Sequence, residues 1–223
     1  MRNSLHILRS FIREAVSLEK NEPVGPPTRD IVLVNDGSFN PVHRGHVNVT
    51  LAAKSAAESM GYNVVGLYML PKHKSWLEKK FAGKGDQLVD DEKRLGFLRQ
   101  AVSGTGITLD EWEIMSDNHG DESSYKAHYE GKHPGATYVM ITGSDYGACS
   151  PMPCFEMYGG SWHLRLARTE GLSSTKIRGA AQAGADMSEF TFPEVEKYMK
   201  GKYGTSSPPV KTEWRNRTLS RRR

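Results

Sequence analysis

Two histidines three residues apart, His43 and His46, stand where a short apolar run gives way to an amphipathic one. Residues 31–34 form a β-branched run that is typical of a buried parallel strand. Side chains three apart on a helix share a face, so both imidazoles can donate an N–H to one anion. A helix N-terminus adds unpaired N–H groups and a positive dipole end. The spacing therefore predicts a phosphate-binding turn between a strand and a helix, where Gly37 and Gly45 allow close approach of a substrate.

The histidine pair is also compatible with two simpler roles. It resembles half of a zinc site, but the candidate third ligands nearby are only Asp36 and His73, and the two cysteines lack zinc-like spacing. Alternatively, the pair is an ordinary helix start with two exposed histidines. Both roles become less favoured because a second segment carries the same chemistry.

That second segment, residues 171–178, precedes another helical stretch that we expect over residues 179–185. Its hydroxyls offer a helix cap and its cations match phosphate oxygens. Alone, such a segment is usually only a cap. Two phosphate-competent helix starts in one small chain instead predict a substrate with several phosphates, bound across the top of one sheet. The residues concerned are Ser173, Ser174, Thr175, Lys176 and Arg178.

The apolar periodicity predicts how these turns are carried. A helix is expected from Arg44 to Met60, ended by Gly61, and further strands over residues 64–69, 107–109 and 138–141. Strands alternating with helices favour an α/β fold: a Rossmann-like, doubly wound parallel sheet flanked by helices, in a single domain.

The chain ends differ from this domain. We expect an amphipathic N-terminal helix and linker over residues 1–28, the α/β domain over 29–204, and a basic, disordered tail over 205–223. Glu14 and Glu19 argue against a mitochondrial presequence in the first segment. The tail holds six basic residues and one glutamate between 211 and 223, a net charge of +5, so the rest of a chain of net +4 carries −1. The basic balance therefore does not predict nucleic-acid binding by the domain; for the tail, a tether to an anionic surface and a localisation signal remain alternatives to a solvated end.

Composition sets further bounds. A chain of 223 residues suffices for one buried α/β domain. It has no apolar stretch of about 18 residues, so no membrane span is expected. Cys149 and Cys154 have neither disulfide-framework nor zinc-like spacing, which favours a reducing, cytoplasmic location.

The two segments also resemble known signatures. Residues 37–46 are similar to the Gly-x-Phe-x-Pro-x-His-x-x-His motif of the adenylyl- and cytidylyltransferase superfamily, and residues 173–178 are similar to its Ser-Ser/Thr-Thr-x-Ile-Arg motif. Residues 109–113 and 143–145 resemble the nicotinamide mononucleotide adenylyltransferases of the eukaryotic type. The family's connection after the second of these stretches is longer than here, and its Asn before Ser-Ser-Thr is not evident.

This resemblance implies transfer of the adenylyl group of ATP to nicotinamide mononucleotide, forming NAD and pyrophosphate, with Mg²⁺ carried by the ATP phosphates. It implies catalytic roles for His43, His46, Lys176 and Arg178. ATP would be bound by Gly37, Ser38, Phe39, Gly45, Gly143, Asp145, Ser173, Ser174 and Thr175. The mononucleotide would contact Trp112, Lys79 and Arg94, with the Trp112 indole stacked on the cationic pyridinium.

Alternatives stay open at this point. The same signatures serve enzymes that activate phosphopantetheine, glycerol phosphate or choline phosphate, and a nucleotide sensor on the same fold would share them. The sequence leaves open the choice between nicotinamide and nicotinic acid forms and the oligomeric state, a homo-oligomer included.

Overall fold

A computed structural model describes residues 25–83, 88–116, 121–143, 149–167 and 172–203. The strands are β1 (Asp30–Gly37), β2 (Asn63–Pro71), β3 (Thr108–Leu109), β4 (Thr137–Gly143), β5 (Cys154–Tyr158) and β6 (Ser161–Leu166). The helices are α1 (Arg44–Ser59), α2 (Lys74–Phe81), α3 (Asp91–Val102), α4 (Trp112–Met115), α5 (Glu122–Lys132), α6 (Ser174–Gln182) and α7 (Pro193–Tyr203).

The six strands form one sheet in the order β3-β2-β1-β4-β6-β5. All neighbouring pairs are parallel except β5 and β6, which form an antiparallel hairpin at one edge. Strand β1 lies between β2 and β4. The chain therefore adds β2 and β3 on one side of β1 and then crosses to the other side to add β4. Open α/β sheets bind ligands beyond the carboxyl ends of strands at such a reversal. The predicted α/β fold with a mostly parallel sheet is confirmed.

Strand β1 is buried on both faces, which explains its unbroken apolar sequence. Ile31 and Leu33 belong to the larger core, whereas Val32 and Val34 belong to a second core on the opposite face. All four side chains are fully buried. The strand predicted over residues 31–34 is therefore confirmed as the centre of the sheet.

The predicted helix after the histidine turn is confirmed as α1, with Met60 as its C-cap and Gly61 at φ +87° directly after it. The second predicted helix begins five residues earlier than expected and ends three residues earlier. Helix α6 ends at Gln182, and Gly184 adopts φ +66°, the left-handed conformation that commonly terminates a helix.

The prediction of unbonded cysteines is wrong: Cys149 and Cys154 form a disulfide. Their Cα atoms lie 6.3 Å apart, whereas five extended residues would span roughly 17 Å. The segment entering β5 therefore folds back on itself, which residue spacing alone does not reveal. The cytoplasmic assignment loses the support that it drew from these cysteines.

Several predictions lie outside the described residues. They are the first 24 residues of the N-terminal helix and linker predicted over 1–28, the tail predicted over 205–223, and Asp145. Within the described ranges, no helix is both long and apolar enough to cross a membrane.

Candidate active site

The turn that joins β1 to α1 lies at the carboxyl edge of the sheet. Phe39 adopts φ +41°, and Asn40 is fully buried, with its Oδ1 accepting from the Val89 amide at 2.8 Å. A Cβ at Gly37 would lie 3.1 Å from the Phe39 ring, so a side chain there would crowd it. The Asn35 amide on β1 donates to Thr50 on α1 at 2.7 Å. These contacts fix where the helix begins and where its histidines stand.

His43 and His46 stack on one another at the N-terminus of α1. Their ring centroids are 3.6 Å apart, and the Phe39 ring contacts His46 edge-on at 4.9 Å. The backbone N–H of His43 donates to Nδ1 of His46 at 3.2 Å. Because Nδ1 accepts this hydrogen bond, the neutral His46 ring carries its proton on Nε2. Nε2 is therefore the donor that His46 can offer to a ligand.

Burial keeps both rings neutral. It lowers the pKa of His43 to about 4, from an ordinary value of 6.5. The pKa of His46 is held well below the ordinary value by burial first, and then by the nearby His43 and Lys80. At neutral pH the two rings therefore act through N–H dipoles and not through full positive charges.

Helix α6 begins beside the same turn and braces it. Ser173 caps the helix by accepting from the Lys176 amide at 3.2 Å. The Ser174 hydroxyl donates to the Pro41 carbonyl at 2.9 Å, and the Arg178 guanidinium donates to the Asn40 carbonyl at 2.5 Å. The two segments predicted to bind phosphate are thus joined by direct hydrogen bonds.

Both helix starts open into one cleft with a volume of about 500 Å³. Its floor is the carboxyl edge of β1, β4 and β6. The predicted residues that line it are Gly37, Ser38, His43, Gly45, His46, Gly143, Ser173 and Ser174.

The remaining predicted phosphate ligands lie outside this lining. Arg178 is buried over the Phe81 ring, at 5.0 Å, and bonded to Asn40 and Thr175. Thr175 and Lys176 are exposed on the first turn of α6. Phe39 also lies outside the lining, and its ring contacts the His46 ring edge-on. Arg178 therefore stabilises the turn between β1 and α1 through its bond to Asn40, and it does not line the cleft.

The residues predicted to contact a mononucleotide are also not brought into the cleft. The Trp112 indole stacks on His128, with centroids 4.3 Å apart. Arg94 is fully buried and donates to the carbonyls of Ser38 and Lys72, both at 2.7 Å, which ties the ends of β1 and β2 together. Lys79 is exposed on α2.

The structure adds lysines to the cleft that the sequence reasoning missed. Lys80 donates to the Ser38 hydroxyl at 3.0 Å and lies over the Trp76 ring. Lys72, just past the end of β2, contacts Asp36 at 2.5 Å and the Tyr125 hydroxyl at 2.5 Å. The available signal was that Asp36 and Lys72 end adjacent parallel strands, whose carboxyl ends must meet.

Besides the lysines, a group of polar side chains on and around β6 lies at the cleft. His163 Nε2 bonds Glu122 Oε1 at 2.9 Å. Arg165 donates to Glu156 and Thr142, both at 2.9 Å. His163 and Arg165 are almost fully buried, yet both line the cleft. We call His163, Arg165, Glu122, Glu156 and Thr142 the β6 cluster.

No group of three or more His, Cys, Asp or Glu side chains with metal-binding geometry occurs in the part of the chain that the structure describes. The Asp36 carboxylate in the cleft is paired with Lys72. A divalent cation at this site would therefore depend on oxygen ligands from the substrate.

The chain is similar in sequence to two named adenylyltransferases. A chain named phosphopantetheine adenylyltransferase from Burkholderia lata is 25% identical over 187 residues, which cover 81% of this chain and 99% of that one. A probable nicotinate-nucleotide adenylyltransferase from Marinobacter nauticus is 24% identical over 185 residues, covering 80% of this chain and 79% of that one.

Among solved structures, the chain is similar to a Vibrio parahaemolyticus protein provisionally named as a nicotinate-nucleotide adenylyltransferase. The two are 17% identical with a TM-score of 0.49, over 78% of this chain and 93% of that one.

The profile of the cytidylyltransferase-like family matches residues 34–180, a span that begins in β1, includes both phosphate-competent turns and ends in α6. Since this span covers well over half of the 223 residues, the chain belongs to the cytidylyltransferase-like family of nucleotidyltransferases.

Proposed function

We propose that the protein transfers the adenylyl group of ATP to nicotinamide mononucleotide, forming NAD and pyrophosphate. The observation that carries the proposal is the convergence of two helix N-termini, those of α1 and α6, on one cleft. Each terminus directs a positive dipole end at phosphate oxygens, although the Arg44 and His46 amides of α1 already donate to the Phe190 and His43 carbonyls. Two such termini suit a triphosphate better than a single phosphate.

The chemistry needs no nucleophilic side chain. A 5′-phosphate oxygen of the mononucleotide attacks the α-phosphorus of ATP, a new P–O bond forms, and the bond from the α-phosphorus to the bridging oxygen breaks as pyrophosphate leaves. A phosphate monoester is already a competent nucleophile, so the protein contributes position and charge stabilisation. The Nε2–H of His46 would donate to the α-phosphate in the transition state. Lys80 would neutralise charge on the departing pyrophosphate, with Ser173 and Ser174 donating beside it.

Magnesium would enter as a complex with the ATP phosphates, where it supplies charge compensation. This suits a cation that keeps several of its waters and needs few protein ligands. The cleft fits such a complex because its lining carboxylates, Asp36 and Glu122, are paired with Lys72 and His163, and because no protein cage is required.

The pyridine nucleotide is favoured as acceptor by the Marinobacter nauticus relative, whose name gives nicotinate nucleotide as its substrate. The resemblance of residues 109–113 to the pyridine-nucleotide enzymes points the same way. Within this region, Glu113 accepts from the Tyr125 hydroxyl at 2.7 Å, and Tyr125 in turn contacts Lys72. Trp112 would stabilise this group of side chains by packing against His128.

The test is a substrate panel with purified protein, Mg²⁺ and a nucleoside triphosphate, scored by pyrophosphate release and by identification of the product. We expect ATP with nicotinamide mononucleotide to give NAD. The His46→Ala variant is the control for contaminating activity. Absence of NAD, with release of pyrophosphate from another pair of substrates, overturns the proposed acceptor.

Phosphopantetheine is the second candidate acceptor, because the Burkholderia lata relative carries that name and is covered over 99% of its length. The same two helix termini would serve that reaction, since ATP and a phosphate monoester are again the reactants. Including 4′-phosphopantetheine and CTP in the panel separates these activities. Binding of ATP without turnover of any acceptor would identify a nucleotide sensor instead.

A further inference from the structure

The β6 cluster contains two buried polar atoms with no hydrogen-bond partner among the described residues, Nδ1 of His163 and Nη2 of Arg165. The residues are 3% and 1% exposed, and both line the cleft. They are two apart on one strand and therefore lie on the same face of the sheet. An unsatisfied buried polar atom is costly, so a ligand that pairs both atoms recovers that free energy on binding.

The existing bonds define what each atom offers. A carboxylate only accepts hydrogen bonds, so His163 holds its hydrogen on Nε2, facing Glu122. In the neutral ring Nδ1 is then an acceptor. Arg165 uses Nε for Glu156 and Nη1 for Thr142, which leaves Nη2 as a donor. The cluster thus holds one acceptor and one donor that lack partners, in two residues that line the cleft.

The Glu122 carboxylate lies close to the hairpin that joins β5 and β6. The hairpin between β5 and β6 turns at Gly159, with φ +60°, and a Cβ there would lie 2.5 Å from Oε2 of Glu122. The glycine leaves room for the carboxylate, which in turn fixes the proton position on His163. Tyr158, on the same hairpin, adds an aromatic wall that is 57% exposed and lines the cleft.

We propose that His163, Arg165 and Glu122 select the acceptor substrate by its ring carboxamide, in preference to a carboxylate. The proposal rests on the proposed adenylyl transfer to a pyridine mononucleotide. A primary carboxamide presents an N–H donor and a C=O acceptor on one edge, which complements Nδ1 of His163 and Nη2 of Arg165. These side chains position the acceptor's ring and take no part in bond making.

A carboxylate fits the cluster less well. It has only acceptor oxygens, so one of them would face the acceptor Nδ1 of His163, while the two negative charges of Glu122 and Glu156 outweigh the single positive charge of Arg165. A secondary amide in an extended trans chain points its N–H and C=O in opposite directions and cannot meet both atoms from one edge. The cluster therefore favours nicotinamide mononucleotide over nicotinic acid mononucleotide and over phosphopantetheine.

The experiment measures kcat/KM for nicotinamide mononucleotide and nicotinic acid mononucleotide in the wild-type protein and in two variants. We expect the wild type to prefer the carboxamide by about tenfold or more, as a site that hydrogen-bonds its substrate rejects the mismatched analogue. Glu122→Gln removes a negative charge and releases the proton position on His163, so the ratio should fall severalfold, with most of the change in KM for the carboxylate. Arg165→Lys should raise KM for the carboxamide.

Arg99→Lys serves as the matched control, because Arg99 pairs with Glu111 on the surface and lies outside the cleft lining. Thermal denaturation establishes that each variant is folded. If Arg165→Lys does not fold, Glu122→Gln still decides, since its side chain is 27% exposed and is replaced by an isostere. Calorimetric titration of both mononucleotides gives a second readout that does not depend on turnover.

The outcomes separate the two proposals. If neither mononucleotide is adenylylated, the proposed function fails. If both are adenylylated and the wild type prefers the carboxylate, or if the variants lower both reactions equally, the inference about the β6 cluster is overturned while the function stands. A variant that instead changes discrimination between ATP and ITP shows that the cluster reads the purine edge, and this also overturns the inference.

Discussion

The Nδ1 atom of His46 accepts a hydrogen bond from the backbone N–H of His43 at 3.2 Å, while the two rings stack 3.6 Å apart. A proton on Nδ1 of His46 would break that bond, and positive charges on both rings would repel at this separation. The geometry and the lowered pKa of each ring thus agree that the pair is neutral. Under the proposed function, a phosphate at this helix start would meet oriented dipoles from the two rings, and full positive charges would come from lysines.

Replacement of His46 tests its role as a transition-state donor. We expect His46→Ala to lower kcat by about 100- to 1000-fold, since loss of one preorganised donor costs about 3–4 kcal/mol. The matched control is His133→Ala, because His133 bonds Tyr68 at 2.8 Å and lies outside the cleft lining. Steady-state kinetics at saturating ATP measures the effect, and an unchanged kcat in the His46 variant would remove this role.

The buried His43 ring predicts a dependence of stability on pH. Its pKa is about 4 in the folded protein and near 6.5 when unfolded, so the unfolded chain binds the additional proton between these values. Stability is therefore unaffected above pH 6.5 and falls as the pH drops from 6.5 to 4, by on the order of 3 kcal/mol. Urea unfolding of the wild type and of His43→Asn, which keeps a helix-capping side chain, should diverge over this window. Parallel profiles for the two proteins would contradict the prediction.

Arg178 is expected to act on stability first and on turnover through the turn that it braces. Arg178→Lys cannot reproduce the bonds to both Asn40 and Thr175, so the free energy of unfolding should fall by about 1–3 kcal/mol. The control, Arg99→Lys on the surface, should change it by less than about 0.5 kcal/mol. Urea titration measures both. A variant with full stability but lost turnover would return Arg178 to a direct catalytic role.

Lys79 and Lys80 form a natural pair for testing charge in the cleft. Lys80 lies in the lining and bonds Ser38, whereas its neighbour Lys79 is exposed outside it. We expect Lys80→Ala to lower kcat/KM for ATP by about tenfold or more, as for the loss of a charge-assisted hydrogen bond. Lys79→Ala should lower it less than twofold. Equal losses in the two variants would support the role in mononucleotide binding that the sequence predicted for Lys79.

Local signals predicted most of the sheet and the two helix starts. The run at residues 31–34 identified the central strand because a strand buried on both faces must be apolar throughout. His43, His46, Ser173 and Ser174 were found because capping and phosphate binding are properties of a few consecutive residues. These predictions required no knowledge of tertiary contacts.

Side-chain direction could not be predicted in the same way. Arg94 and Arg178 carry the charge expected of phosphate ligands, but both guanidiniums turn inward to carbonyls on the β1–α1 turn and its surroundings. Arg165 was missed because no strand was predicted over residues 161–166, and only the neighbouring β4 and β5 strands give it partners. The disulfide of Cys149 likewise depends on a backbone reversal that spacing does not encode.

The bond from Arg178 to the Asn40 carbonyl joins residues 138 positions apart. During synthesis the histidine turn leaves the ribosome long before its brace, since chains grow from the N-terminus at about 5–20 residues per second. A nascent chain that ends before α6 holds both imidazoles but lacks the serine and arginine contacts that fix their turn. The braced form of the histidine turn therefore arises only after the residues of α6 have been synthesised.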